Sequence, residues 1–343
     1  MPRRPTLLVL LLALAMVAAG CGSDNDATAR ASDAASTSSV DAQFPVTVEH
    51  KFGATEIDAG PQRIVSIGYQ EHDVLYALGV QPVAVRYWFG DTDDVIFPWA
   101  EDDASGADPE ILNMAYGELN YEKIAALRPD LILGVYSGIT DKEYETLSAI
   151  APTVAQPDGY VDFGIPWQVA ARQAGTAVGR PDRAEELIDE LEARFAEVRE
   201  AHPEWAGQQV AVVAYRPAGT GVFASEDPRA RFFTQLGFEV PAAIDEVAGE
   251  KFYGTLSPER FDVIDGDLVV WDQMTYVEGG RAAIIADPVV AGLQAMKEGR
   301  AIYMEGDLEA AFAFNSVLSL GFVLDEVVPL LEAATDGDPD TTG

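Results

Sequence analysis

Residues 120–134 read NYEKIAALRPDLILG, and residues 256–271 repeat the same design as LSPERFDVIDGDLVVW. Each stretch begins with a favoured helix-capping residue, Asn120 or Ser257, followed two positions later by a glutamate. Eight positions after the glutamate, an aspartate opens an apolar run that is typical of a buried strand. Pro258 strengthens the second helix start, since proline suits the first helical position. The repeat predicts two α/β lobes of like design.

The rest of the chain extends this pattern, because apolar strand-like runs alternate with amphipathic helical patterns. Strands are predicted at 63–67 and 210–214, one at the start of each half. Between the halves, a helix of about 20 residues is predicted after Pro181 from a stripe spaced i, i+3, i+4, i+7. The stripe consists of Ala184, Leu187, Ile188, Leu191, Phe195 and Val198. We predict an α/β fold: two Rossmann-like lobes with parallel sheets, joined by one long connecting helix, with the ligand cleft between them.

The first residues have the composition of an export signal. Arg3 and Arg4 precede an apolar stretch, residues 7–17, and small residues end at Gly20 just before the sole cysteine, Cys21. The apolar stretch is shorter than the roughly 20 residues that a membrane-spanning helix needs. The cysteine at the cleavage point resembles the lipobox of bacterial lipoproteins, which implies acylation of Cys21, although Ala18 stands where Leu is more common. The alternative is an ordinary secreted protein with an unused cysteine.

Composition sets the remaining boundaries of the predicted organisation. Residues 22–43 and the C-terminal tail contain almost no large apolar side chains, as in disordered segments. The predicted sequence of parts is therefore a signal peptide (1–20), a tether (21–43), an N-terminal lobe (44–165), a connecting helical region (166–202), a C-terminal lobe (203–332) and a disordered tail (333–343).

The formal charge of −35 restricts the partners. Loss of Arg3 and Arg4 with the signal would make it −37. Such a balance argues against nucleic acid and anionic lipid surfaces as partners. A strongly anionic ligand would be repelled at long range unless local arginines reverse the field, so neutral or cationic ligands are less opposed.

The segments together resemble the iron–siderophore substrate-binding proteins of ABC importers, a helix-linked two-lobe class that includes cobalamin and haem binders. The likeness covers nearly all of residues 44–332. It is carried by residues 61–85 (PQRIVSIGYQEHDVLYALGVQPVAV), 120–134, 167–199, 256–271 and 315–331 (NSVLSLGFVLDEVVPLL). The resemblance implies a monomeric, lipid-anchored receptor on the extracytoplasmic face of the cell membrane. It would capture a ferric siderophore, close only slightly because the connecting helix is rigid, and deliver its cargo to an ABC permease.

Candidate ligand-binding residues follow from the rule that open α/β sheets bind ligands at the carboxyl ends of their strands. The residues there are rich in aromatic rings and arginines, which suit a bulky, partly apolar chelate with oxygen atoms on its surface. Packing inside a lobe is the alternative for each aromatic residue, and a surface salt bridge is the alternative for Arg216. The candidates are Tyr69, Arg86, Tyr87, Trp88, Tyr136, Tyr215, Arg216, Trp271, Gln273 and Arg281.

Glu122 and Glu259 occupy matching positions in the first turn of the two repeated helices. A favourable interaction with the helix N-terminus explains both without any further role. The resemblance implies more, because glutamates at these motif positions in the family pair with arginines of the permease. We therefore predict that Glu122 and Glu259 dock the protein on its permease.

Other functions are less well supported. The three histidines, His50, His72 and His202, lack the spacing of a metal site, so iron is expected to arrive inside its chelator, with no directly bound cofactor. No convincing nucleophile or dinucleotide motif predicts an enzyme. The alternatives left open are a haem or cobalamin receptor, with Tyr69, Tyr136 or Tyr215 as an axial ligand to haem, and a hydrolase or signalling lipoprotein that uses the fold without transport.

Overall fold

The structure is a computed structural model that describes residues 44–87, 95–104, 106–217 and 219–339. The predicted signal peptide, tether and lipidation site at Cys21 lie outside the described residues, as does the candidate Trp88. Among the described residues, no helix is both long enough and apolar enough to cross a membrane.

The first lobe begins with an antiparallel hairpin of β1 (Val46–His50) and β2 (Gly53–Ile57). A wholly parallel sheet follows, in the order β5-β4-β3-β6-β7. Its strands are β3 (Ile64–Ser66), β4 (Ala84–Arg86), β5 (Glu110–Leu112), β6 (Leu131–Gly134) and β7 (Thr153–Ala155), and its helices are α1 (Glu71–Ala77), α2 (Tyr121–Ala126) and α3 (Asp141–Ser148). This parallel sheet agrees with the sequence prediction.

Two helices join the lobes. They are α4 (Trp167–Ala177) and α5 (Pro181–Ala201), which confirms the predicted long connecting helix. Four members of the predicted stripe on α5 are buried, and the other two are partly buried against the same core. The helices approach closely at Gly175, where an added Cβ would lie 2.4 Å from that of Ala184. Only glycine allows this contact.

The second sheet is mixed, in the order β10-β9-β8-β11-β12. Its strands are β8 (Val210–Ala214), β9 (Thr220–Phe223), β10 (Tyr253–Leu256), β11 (Leu268–Asp272) and β12 (Ala301–Tyr303). The helices are α6 (Pro228–Gln235), α7 (Ala242–Ala248), α8 (Gly280–Ala286), α9 (Gln294–Lys297), α10 (Asp307–Phe314) and α11 (Ser319–Thr335). The predicted all-parallel sheet is wrong here, since β9 runs antiparallel to both β8 and β10. The connection from β8 to β9 is too short for a parallel crossover, which needs a dozen or more residues.

Two further details correct the sequence prediction. Residues 258–264 form a 3₁₀ helix with a non-helical residue at Arg260, and the Ser257 side chain makes no capping bond to its backbone. The predicted tail begins too early, because α11 continues to Thr335. The Thr335 hydroxyl accepts a 3.0 Å hydrogen bond from the buried indole of Trp205, which holds the end of this helix against the second lobe.

One hydrophobic cluster runs through both lobes. It joins apolar residues of both sheets to the buried faces of α4, α5 and α11. The shared core supports the carboxyl ends of the central strands, where the candidate site lies. The division at residues 165 and 202 stays a prediction.

Candidate functional site

A cavity of about 330 Å³ lies at the carboxyl ends of β8 and β11, beside the edge formed by β9 and β10. Aromatic rings, glycine backbone and two arginines form its wall. The lining residues are Ala214, Arg216, Gly219, Gly221, Phe223, Arg229, Phe252, Tyr253, Thr255 and Gln273. Two of the predicted ligand-binding residues, Arg216 and Gln273, are therefore brought together here.

Arg229 is held in this wall by two buried carboxylates. Its Nε and Nη2 each donate a 2.9 Å hydrogen bond to Asp227, and Nη1 donates to Asp272 at 3.3 Å. Its guanidinium carbon also lies 3.6 Å from the centre of the Phe223 ring. Burial alone would lower the pKa of Arg229, but the Asp227 and Asp272 carboxylates raise it. This arginine is permanently charged and already compensated.

Arg216 has a different environment. It donates to the Tyr215 carbonyl at 2.7 Å and to Oε1 of Gln273 at 2.9 Å, and it lies over the Tyr276 ring. Within the described part of the chain it makes no ion pair. Its half-buried charge therefore faces the cavity without a carboxylate in contact, as expected for a group that binds oxygen atoms of a ligand.

The turn that presents Gln273 is fixed by Glu309. Gln273 has the left-handed conformation, with φ of 57°, which is uncommon for a residue other than glycine. The Glu309 carboxylate accepts hydrogen bonds from the backbone N–H and the hydroxyl of Thr275, at 3.0 and 2.8 Å. Burial raises the pKa of Glu309, and these hydrogen bonds partly offset the rise. Glu309 thus supports the turn that holds Arg216.

In the first lobe, Arg86 is buried at the end of β4. Its Nε donates to the Met114 carbonyl at 2.8 Å, and Nη2 donates to the carbonyl of Ala115. The guanidinium lies 4.5 Å from the centre of the Tyr69 ring. Burial lowers the pKa of Arg86, and nearby phenols and carboxylates partly offset this change. Arg86 holds Tyr69 in position and carries positive charge into the cleft, but it is only 1 % exposed.

The two lobes meet at an aromatic cluster centred on Phe163. Its ring lies 5.3 to 6.1 Å from those of Tyr69, Tyr116 and Tyr136 in the first lobe. Across the cleft it lies 6.0 Å from Phe252, which lines the cavity. The cavity therefore adjoins the predicted first-lobe residues through aromatic contacts.

Phe163 is itself held in an uncommon backbone conformation, with φ of 64°. Tyr136 donates its hydroxyl to the Phe163 carbonyl at 2.9 Å, and Arg231 of the second lobe donates to the carbonyl of Gly164. Such conformations cost about 1–3 kcal/mol and persist where surrounding contacts fix them. Here the fixing contacts come from both lobes.

Several predicted residues do not reach the cavity. Trp271 is fully buried and Tyr215 nearly so, both in the hydrophobic core of the second lobe. Because side chains alternate along a strand, Trp271 points to the opposite face from Asp272, which reaches Arg229. The Tyr215 hydroxyl donates to Asp287 at 2.6 Å. Trp271 and Tyr215 therefore pack inside the second lobe and do not line the cavity, and ligand contact by them stays an untested prediction.

Two more candidates lie near the cleft without lining the cavity. Arg281 lies over the Tyr303 ring at 4.0 Å, at the carboxyl end of β12. Tyr87 continues the pairing of β4 with β5 through its N–H bond to the Leu112 carbonyl, and its side chain is half-buried. Their roles in binding stay predictions.

The sequence did not predict most of the aromatic residues in the cavity wall and in the adjoining Phe163 cluster. Tyr116, Phe163, Phe252 and Tyr253 lie on loops or on a strand that was not predicted, so no strand end marked them. A signal for Arg229 does exist in the sequence Asp227-Pro228-Arg229, a capping aspartate followed by proline at a helix start.

Glu122 and Glu259 are exposed, each in the first turn of a short helix that follows a strand at the carboxyl edge of its sheet. The pKa of Glu259 is lowered by its own backbone N–H and by the Ser257 side chain. Both carboxylates are exposed to solvent, and their role in docking stays a prediction.

The described residues contain no cluster of three or more His, Cys, Asp or Glu side chains that could hold a metal ion. The three tyrosines considered as axial ligands to haem are buried. Burial raises the pKa values of Tyr69, Tyr136 and Tyr215, that of Tyr215 to about 12 with help from Asp287.

Comparison with known proteins identifies the family. Residues 64–308 match the family model described as periplasmic binding protein. The chain belongs to this family. Its members bind solutes for transport and are not enzymes, as the sequence predicted. The match covers most of both lobes and the connecting helices, and it confirms the two-lobed α/β class.

Three relatives show what this binding protein is similar to. A crystal structure of a periplasmic solute binding protein from Mycobacterium smegmatis is 37 % identical, with a TM-score of 0.73, over 84 % of this chain and 98 % of that one. PiaA from Streptococcus pneumoniae, solved in complex with ferrichrome, is 28 % identical, with a TM-score of 0.74, over 85 % and 99 %. A probable siderophore-binding lipoprotein of Bacillus subtilis, YfiY, is 29 % identical over 70 % of this chain and 73 % of its own length.

Proposed function

We propose that this protein captures a ferric siderophore outside the cytoplasm and delivers it to an ABC permease for iron uptake. The observation that carries the proposal is Arg216, a half-buried arginine that makes no ion pair with the described residues and faces a cavity walled by aromatic rings. A ferric siderophore presents oxygen atoms around iron on a bulky organic frame. Guanidinium donors and aromatic faces recognise those two features.

Relatives support the same substrate class. One related structure holds ferrichrome, and a B. subtilis relative is named a siderophore-binding lipoprotein. The related lipoprotein also supports our proposal that Cys21 is acylated and anchors the protein at the extracytoplasmic face of the cell membrane. Since the anchor would keep the receptor close to its permease, it would raise the effective concentration for delivery. We propose that the receptor acts as a monomer.

Haem and cobalamin are not proposed as ligands. Among the three tyrosines considered as axial ligands, the hydroxyls of Tyr136 and Tyr215 already donate to protein oxygens. No described contact favours either cofactor.

The binding proposal is tested by titrating the full chain with ferrichrome, haemin and cyanocobalamin while recording intrinsic fluorescence. We expect saturable quenching by ferrichrome with a dissociation constant at or below about 1 μM, equivalent to about −8 kcal/mol. Arg216→Gln should weaken binding about 10- to 100-fold, because it removes a charged donor. Tight binding of haemin with no response to ferrichrome would refute the proposal.

Delivery is tested separately at the two exposed glutamates. The double variant Glu122→Ala, Glu259→Ala should lower siderophore uptake by cells that express the permease, while ferrichrome affinity stays the same. The matched control is Glu186→Ala with Glu190→Ala, which removes two exposed carboxylates from the connecting helix. If affinity falls together with uptake in the first pair, the glutamates act in the pocket and the docking role is wrong.

A further inference from the structure

The positive charges of the cleft are few, and most are already engaged. Four arginines lie in or beside it: Arg86, Arg216, Arg229 and Arg281. Arg229 is paired with two carboxylates, and Arg86 donates its hydrogen bonds to backbone carbonyls beneath Tyr69. Arg281 lies against an aromatic ring, half-buried. Arg216 is therefore the cation most available to a ligand.

Carboxylates balance these arginines. Asp227 and Asp272 face Arg229, and Glu309 lies close enough to interact electrostatically with Arg216. In the first lobe, the buried Glu71 accepts N–H bonds from Tyr136 at 2.6 Å and from Gln70 at 3.2 Å, and its charge acts on Arg86. Burial raises the pKa of Glu71, and the hydrogen bonds from these N–H donors partly offset the rise.

Arg229 is thus compensated and Arg86 is fully buried, so among the described residues of the cleft only Arg216 and the ring-stacked Arg281 offer positive charge to a ligand. Beyond the cleft, the chain carries a formal charge of −35. Neither the local nor the overall charge offers compensation for a multiply charged anion.

From this balance we infer that the cleft selects ferric complexes with little or no net negative charge, such as neutral or monocationic trihydroxamates, and rejects trianionic tris-catecholates. The inference rests on the proposed function, because it names the class of siderophore that the same cleft binds. A trianion moved from water into this cleft loses hydration and gains at most two arginines, Arg216 and Arg281, in return. A neutral complex offers the same oxygen acceptors to Arg216 without that loss.

The test compares three ferric complexes on the full chain at pH 7.5. Ferrichrome is a neutral trihydroxamate, ferrioxamine B a monocationic one, and ferric enterobactin a trianionic tris-catecholate. We expect both hydroxamates to bind at least about 100-fold more tightly than the catecholate, a difference of about 2.7 kcal/mol at 1.36 kcal/mol per tenfold change. Added salt should strengthen only catecholate binding, because it screens the repulsion.

Charge variants provide a second readout, the ratio of ferrichrome affinity to ferric enterobactin affinity within each variant. Glu309→Gln leaves the cleft more positive and should lower this ratio about three- to tenfold, while Arg216→Gln should raise it by a similar factor. A purely structural defect would weaken both complexes and leave the ratio unchanged. The matched control is Glu332→Gln, the same charge change on an exposed residue beside His202 at the far end of the second lobe.

The outcomes separate the two proposals. If ferric enterobactin binds as tightly as ferrichrome, or if the ratio is the same in the two cleft variants, the charge selectivity is overturned and the siderophore-receptor function stands. If no complex binds at 10 μM or below, on the order of −7 kcal/mol, the receptor function itself fails and the selectivity fails with it.

Discussion

At the residue scale, the cleft arginines show that burial and compensation decide what a charge can do. Arg229 and Arg216 line the same cavity, yet Arg229 contacts two carboxylates and Arg216 contacts neutral oxygens. The first arrangement stabilises the fold of the lobe. The second leaves a charge for the ligand.

This contrast predicts two different phenotypes. Arg229→Gln leaves Asp227 and Asp272 buried without a counter-charge, so we expect a loss of about 3–5 kcal/mol in the free energy of unfolding. Arg216→Gln should change that free energy by less than about 0.5 kcal/mol. Urea denaturation followed by circular dichroism measures both. The control is Arg172→Gln, which breaks an exposed ion pair with Glu185 that is worth little. Equal destabilisation by the two cleft variants would contradict this assignment.

At the element scale, helix α1 is unusual because all of its residues are buried, including His72 and Asp73. Asp73 accepts hydrogen bonds from Ser316 at 2.6 Å and from the Trp99 indole at 2.7 Å. Ser316 lies just before α11, so the carboxylate ties the first lobe to the C-terminal helix. The His72 ring packs edge-on against Phe314, at 5.4 Å, in the same contact.

Burial shifts the pKa values of His72 and Asp73 in opposite directions. It raises the pKa of Asp73 from 3.8 to about 6, and it lowers the pKa of His72 from 6.5 to about 4. Between pH 4 and 6 the folded state holds the Asp73 proton more tightly than the unfolded state does, so this group makes stability fall as pH rises. His72 has the opposite effect in the same window, because there the unfolded state binds its proton.

Removing either group should reveal how the other group makes the free energy of unfolding depend on pH. We compare the free energy of unfolding of each variant with that of the parent protein as the pH is raised from 4 to 6. For Asp73→Asn this difference should rise by up to about 1.4 kcal/mol per pH unit, and for His72→Gln it should fall by a similar amount. Urea unfolding at half-unit pH steps measures the difference, in which the other titrating groups cancel. His202→Gln serves as the control, since that imidazole is more exposed. If the free energies of unfolding of both α1 variants change with pH in the same way, the opposite pKa shifts of Asp73 and His72 are refuted.

At the scale of the whole molecule, the two lobes are held together by more than the connecting helix. A single hydrophobic cluster passes through both, the Phe163–Phe252 contact spans the cleft, and Asp73 bonds to Ser316 beneath it. These contacts favour small adjustments of the lobes over wide opening. The whole chain carries a formal charge of −35, and this charge opposes compaction through self-repulsion.

Screening this repulsion should stabilise the protein. Raising NaCl from about 0.02 M to 0.3 M shortens the Debye length to below about 10 Å. We expect the thermal unfolding midpoint to rise by about 2–4 °C, equivalent to roughly 1 kcal/mol for a protein of this size. Scanning fluorimetry without ligand measures it. A screening effect levels off by about 0.5 M, where the Debye length is already only a few ångströms. A midpoint that rises steadily to 2 M, or does not rise at all, would contradict the explanation.

The sequence by itself determined the architecture and part of the site. The α5 stripe and the paired motifs at 120–134 and 256–271 are local patterns, and local hydrophobic periodicity is enough to place a helix or a buried strand. Arg216 and Gln273 follow predicted strands directly, so the strand-end rule found them. Strand β9 was not predicted at all, although its antiparallel direction follows from its short connection to β8. The end of α11 was predicted wrongly because it depends on contact with the distant Trp205.

Tertiary structure alone decided which side chains face the cavity. Trp271 and Asp272 are neighbours in sequence, but strand alternation sends one into the hydrophobic core and the other to Arg229. Phe163 and Phe252 are 89 positions apart, and only the approach of the lobes brings them together. The availability of an arginine is likewise a property of its surroundings. Asp227 is close to Arg229 in the sequence, but only the fold adds Asp272 to that pair and leaves Arg216 facing the cavity without a carboxylate in contact.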